Sequence, residues 1–212
     1  MIRPPRSAAF TLVEMITVIA IIAILAGLVL AINGLVQGKS AKARAEAEVK
    51  MLSTACESYK TDNGGYPQDS SVPSKTDTLD ARTYTTADAS LGGKYSLSSQ
   101  FLYGQLTGDI NNTGLASAMT KNYAPDFWKP SRLGGPKTNG VSTGVWYIMD
   151  PYGNSYGYST IGLAAEQTYR AALATNPSAA RPSTTQGYNP TFDLWSTAGD
   201  TLGNTAKWAK NW

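Results

Sequence analysis

One acidic residue, Glu14, stands four positions after Phe10 in the run Phe10–Ile32, FTLVEMITVIAIIAILAGLVLAI, which carries no other charge. A carboxylate at the centre of an apolar bilayer helix costs about 2.5 to 3.5 kcal/mol on the insertion scale, and less near an interface. Glu14 therefore calls for a partner. Two small residues, Ala8 and Ala9, precede the run and offer a cut before Phe10. The amine exposed by such a cut is a cation able to pair with the Glu14 of a neighbouring chain. The chemistry open to this corner is thus proteolytic processing and charge-specified assembly, the alternative being a Glu14 that snorkels to the headgroups.

Reactive groups are scarce elsewhere. With no His and a single Cys among 212 residues, a Ser-His-Asp or Cys-His nucleophile, a His-ligated zinc, a histidine pH switch and an intramolecular disulfide are all excluded. Carboxylate pairs run hydrolysis without His, yet no motif sets two of them together, and no enzyme is expected. The net charge of +3 is small and dispersed, so no nucleic-acid partner is expected. Gly108–Gly114, GDINNTG, lacks the acidic spacing and closing Glu of a calcium-binding hand and reads as a polar turn.

The twenty-three apolar residues must form the element that holds Glu14. At about 1.5 Å per residue they cover roughly 35 Å against about 30 Å of hydrocarbon, which predicts a tilted spanning helix. A cleavable secretory signal has a shorter apolar region, about 7 to 15 residues, followed by its small-residue site. Here the small pair comes first, so the helix stays in the product. Arg3 and Arg6 on one flank and Lys39, Lys42 and Arg44 on the other leave the orientation open on charge alone.

After Asn33-Gly34 the pattern turns amphipathic. Leu35, Ala41, Ala45, Val49, Leu52, Cys56 and Tyr59 approach helical spacing, Glu46 and Lys50 form an i,i+4 pair, and Lys39, Lys42, Arg44 and Glu48 fill the other sides. Cys56 falls on the apolar stripe and reads as a small core hydrophobe. Asp62-Asn63-Gly64-Gly65 and Tyr66-Pro67 end the helix, since Gly and Asn accept left-handed geometry and Pro cannot continue it. One helix from Phe10 to about Thr61 would be on the order of 75 Å long.

The remainder reads as a head of short elements. Ser98–Leu106 predicts a helix with Phe101, Leu102 and Leu106 inward. Val145–Met149, the turn Asp150–Asn154 and the alternating Ser155–Ile161 predict a β-hairpin. Ala164–Ala174 predicts a short helix and Thr191–Ser196 a third strand. The five Trp and twelve Tyr serve core packing or a ligand surface; gathering of Trp128, Trp146, Trp195 and Trp208 in one groove would favour the latter.

Ala9 followed by Phe10-Thr11-Leu12-Val13-Glu14 and a long apolar run, behind a short leader with two arginines, resembles the class III signal of type IV pilins and type II secretion pseudopilins. Ala9 stands where that family usually has Gly, and Ala23 and Ala31 where it commonly has Gly and Pro. Farther on, Asp62–Pro67, Asp150–Asn154, Phe192–Ser196 before an Ala-Gly-Asp turn, and the final Asn211-Trp212 resemble, in order, landmarks of the major, G-type pseudopilin.

The resemblance implies an α+β, pilin-like fold: a long N-terminal helix, transmembrane in its first half and amphipathic in its second, packed on a small antiparallel sheet with enlarged loops. It implies a cleaved leader 1–9, a membrane and filament-core helix 10–32, its amphipathic continuation 33–62 and a head 63–212. A prepilin peptidase would cut between Ala9 and Phe10 and methylate the Phe10 amine, leaving Phe10 and Glu14 as the assembly pair. Implied partners are identical and related pseudopilins and an inner-membrane assembly platform, with the leader cytoplasmic and the head periplasmic or extracellular. The stretches 68–145 and 159–191 exceed the family's usual core. The resemblance also raises a calcium site, with Leu194 and Ser196 at the carbonyl-bearing strand end, Asp200 as an acidic ligand and Asn204 as a substitute donor; a plain closing turn that needs no cofactor is the other reading. The functional alternative is a minor pilin, or a tethered module that recognises a ligand or partner through its aromatic head.

Overall fold

The computed structural model describes residues 10–115, 121–181 and 186–212, with side chains throughout except at 29–36. The leader 1–9, and with it Ala9, lies outside the described residues. Two compact units are formed, Met1–Ser40 and Ala41–Trp212.

Helix α1 is Leu12–Asn63. In the first unit its large apolar side chains from Leu12 to Leu28 are exposed. Among the described residues no helix is long and apolar enough to cross a membrane; positions 29–32 of the expected span lie outside the described side chains.

In the second unit α1 buries Ala45, Val49, Leu52 and Cys56 of the stripe that the spacing predicts, and Ala55 beside it. The helix ends where the glycines begin: Gly64 takes φ +78°, and its N–H donates to the Lys60 carbonyl at 2.8 Å, satisfying a carbonyl that the helix leaves open. Burial pushes the Cys56 thiol well above its ordinary pKa, in keeping with a core role.

Helix α2, Lys94–Thr107, is longer than the expected Ser98–Leu106. It buries Leu102, Tyr103 and Leu106, whereas Phe101 is only half-buried. A single 3₁₀ turn at Pro130–Arg132 precedes β1, Leu133–Gly134. Then come β2, Lys137–Thr138, β3, Val141–Ser142, β4, Tyr147–Ile148, and β5, Gly157–Ser159. Helix α3, Ile161–Thr175, β6, Asp193–Ser196, and β7, Ala209–Lys210, complete the order.

Among the described residues the strands form three small antiparallel sheets, β1–β4, β2–β3 and β5–β6–β7. The architecture is the expected α+β class, but the hairpin differs from expectation. Its turn is present, closed by the Asp150 N–H on the Asn154 carbonyl at 2.8 Å, and its arms touch at one bridge, Met149 to Ser155. They then separate, β4 pairing with β1 and β5 with β6. The Tyr156 N–H still donates to the Ile148 carbonyl across the bridge at 3.0 Å. Leu133, Ile148, Tyr156, Tyr158, Leu194 and Ala209 share one core with the α1 stripe and with Leu102, Tyr103 and Leu106 of α2.

Candidate functional site

The N-terminal corner is built by Thr11, the residue before the first turn of α1. Its backbone N–H donates to Glu14 Oε2 at 2.8 Å and its hydroxyl to the same oxygen at 2.9 Å. In return the Glu14 N–H donates to Thr11 Oγ1 at 3.3 Å. This reciprocal arrangement is a capping box, in which N-cap and third-residue side chains satisfy each other's open backbone donors. The Thr-x-x-Glu spacing that announces it is visible in the sequence, although the cost of the charge alone points to a neighbouring amine or to the headgroups. Phe10, immediately before the cap, is exposed.

The closing loop carries the other sequence-derived site. Asp200 Oδ2 accepts the Asn204 N–H at 2.7 Å, and Lys207 Nζ lies 3.4 Å from Oδ1. The Asn204 N–H, with Lys207 behind it, holds the Asp200 carboxyl below the usual carboxylate range. The Ser196 hydroxyl donates to Asp150 Oδ2 and accepts the Ala198 N–H at 3.0 Å. The Leu194 carbonyl accepts from the Asn211 N–H at 3.2 Å, and Asn204 Oδ1 from the Ala206 N–H at 3.1 Å. These donors do not fit calcium, which takes about six to eight oxygens and gains affinity from carboxylates. Of the four residues only Asp200 carries a carboxylate, and it faces an ammonium. Among the described residues no group of three or more His, Cys, Asp or Glu gathers to hold a metal.

Residues 4–30 match the prokaryotic N-terminal methylation motif. No curated protein and no solved structure matches the chain. The motif supports a type IV pilin-like chain, prepilin-processed and membrane-anchored, and it overlaps both Phe10 and Glu14.

The second unit holds a polar centre that the sequence does not announce. Glu48, expected on an outer face of α1, is buried. Its carboxylate accepts Arg44 Nε at 3.0 Å and the Tyr156 hydroxyl at 2.8 Å, and Arg132 lies 3.2 Å away over the Phe127 ring. Burial and the nearby Glu48 charge push the Tyr156 hydroxyl far above its ordinary pKa. Arg44, one helical turn earlier, is the only one of these partners within reach of a spacing rule.

Asp150 is buried close by. It accepts the Tyr152 and Asn154 N–H groups at 2.9 and 2.8 Å as well as the Ser196 hydroxyl, tying the β4–β5 turn to β6. Burial raises its pKa despite these bonds, with the charge of Glu48 adding in the same direction. Asp109 organises the 108–114 loop as the polar turn expected, accepting from Tyr103, Thr113 and Gly114.

The tryptophans do not gather in a groove. Trp195 and Trp208 stack at 6.2 Å in a small second core with Leu79, Ala81 and Tyr95. Trp128 packs edge-on to Phe127 and Tyr103, and Trp146 is exposed. The aromatic content of the head thus goes mostly into packing.

Proposed function

We propose that the chain is a structural subunit of a type II secretion pseudopilus or a related type IV pilus-like filament. The observation that carries this reading is the methylation motif over residues 4–30. Prepilin peptidase cuts between Ala9 and Phe10 and methylates the Phe10 amine. The apolar part of α1, exposed in the isolated chain, anchors the subunit in the inner membrane as a single pass, leader cytoplasmic and head outside. It then packs among the helices of identical and related pseudopilins on the assembly platform, and polymerisation moves protein cargo through the envelope.

In this reading the Phe10 amine meets the Glu14 of a neighbour. The capping box supports it, because Thr11 uses only Oε2 and leaves Oε1 without a partner among the described residues. The head closes its last loop with Lys207 and needs no calcium. Intact mass of the membrane-fraction protein, with and without a co-expressed prepilin peptidase, tests the proposal. A product beginning at methylated Phe10 is expected only with the peptidase; an uncleaved chain in both preparations contradicts it.

A further inference from the structure

A cleft of about 370 Å³ opens between the end of α1 and α3, lined by Lys60, Tyr66, Leu163, Glu166, Arg170 and Pro190 among others. Its size falls at the lower end of ligand sites, which run about 300 to 1,000 Å³. Helix α3 buries none of its residues, so the face that lines the cleft is left partly uncovered. The wall at Gly64-Gly65 is bare backbone: a Cβ at either position meets nothing within 4 Å.

The polar groups are mostly donors. Lys60 Nζ stands 3.1 Å from the Tyr66 hydroxyl, which itself donates to Glu57 at 3.0 Å. Arg170 binds Glu166 through Nε at 2.9 Å, and its terminal nitrogens have no partner among the described residues. Glu166 is already balanced by Arg181, 3.0 Å from its other oxygen. Lys60, Arg170 and Arg181 against Glu57 and Glu166 leave one positive charge in excess. The Gly65 and Tyr66 N–H groups also lack a partner among the described residues.

We propose that this cleft binds a small organic carboxylate of about sugar-acid size. Lys60 and Arg170 take its charge from opposite sides, the planar guanidinium matching a carboxylate. The free backbone N–H groups supply neutral donors, and Leu163 and Pro190 meet the carbon skeleton. A single surplus charge suits a carboxylate better than a phosphate ester, which carries about 1.5 to 2 negative charges near neutral pH.

Titration calorimetry on the full chain in neutral detergent, with glucuronate, glucose and inorganic phosphate as probes, tests this. Saturable glucuronate binding is expected, at least tenfold weaker in Lys60→Ala and in Arg170→Ala. It should be partly restored in Arg170→Lys and lost in Gly65→Phe, whose backbone carries no left-handed strain and whose side chain enters open space. Glucose and phosphate are expected to bind at least tenfold more weakly than glucuronate. Absence of saturable glucuronate binding, equal binding of phosphate, or indifference to all the alanine and phenylalanine changes overturns the proposal.

Discussion

Thr11 and Glu14 hold each other: one Glu14 oxygen accepts both the Thr11 N–H and its hydroxyl, at 2.8 and 2.9 Å, while the Thr11 hydroxyl accepts the Glu14 N–H at 3.3 Å. The carboxylate therefore has an intramolecular function before any neighbour arrives. Thr11→Ala should fray the first turn of α1, seen as faster amide hydrogen exchange at residues 12–15, and leave exchange beyond about residue 20 unchanged. Unaltered exchange in the first turn would mean that the cap contributes nothing.

The capping box separates what a sequence pattern carries from what it does not. Val49, Leu52 and Cys56 sit three or four apart, so their common face is legible from spacing alone, and the structure buries all three. Thr11 and Glu14 are equally local, and the capping spacing that joins them is legible in the same way. Glu48 is different in kind. It stands three after Ala45 and four before Leu52, at the edge of the buried stripe, but its partners Arg132 and Tyr156 lie on the 3₁₀ turn and beside β5, where no spacing on α1 points. The same non-locality parts the expected hairpin, since the partners of β4 and β5 are strands that sequence order does not bring together.

Removal of Glu48 should be among the most damaging single changes in the head. Glu48→Ala leaves Arg132 without its counter-charge and the Tyr156 hydroxyl without its acceptor, and breaking a buried ion pair from one side costs about 3 to 5 kcal/mol. The exposed Arg44 contributes little of this. Replacing both members with apolar residues, Glu48→Met with Arg132→Met, should cost far less than the single change. Denaturant unfolding of the detergent-solubilised chain checks both, and equal losses for the single and double variants would contradict this account.

Asp150 makes a pH-dependent contribution of definite sign. Its carboxyl titrates above the ordinary value of 3.8 in the folded chain because of burial, so the folded state binds the proton more tightly than the unfolded state does. Its favourable contribution is full below the unfolded pKa and is lost as pH rises through the raised folded value. Asp150→Asn removes that loss. The variant should therefore be less destabilised, relative to the parent, at pH 7 than at pH 4, as measured by melting temperatures at both. A difference that is flat or reversed would show that the folded carboxyl is not raised.

Lys207 facing Asp200 at 3.4 Å predicts indifference to calcium. Millimolar calcium and a chelator should give the same melting temperature within about one degree, whereas a ligand that binds only the folded state at 100 times its dissociation constant adds about 2.7 kcal/mol. A rise of several degrees with calcium would mean that the loop rearranges to take a cation.

The central claim is that the charge of Glu14 specifies assembly. Crosslinking of membrane-fraction protein co-expressed with a prepilin peptidase tests it most directly, comparing the parent chain, Thr11→Ala and Glu14→Gln. The amide of Glu14→Gln still accepts from Thr11 but carries no charge for a neighbour's Phe10 amine. Multimers that persist in Thr11→Ala and disappear in Glu14→Gln are the predicted result; multimers that survive Glu14→Gln undiminished would contradict the account.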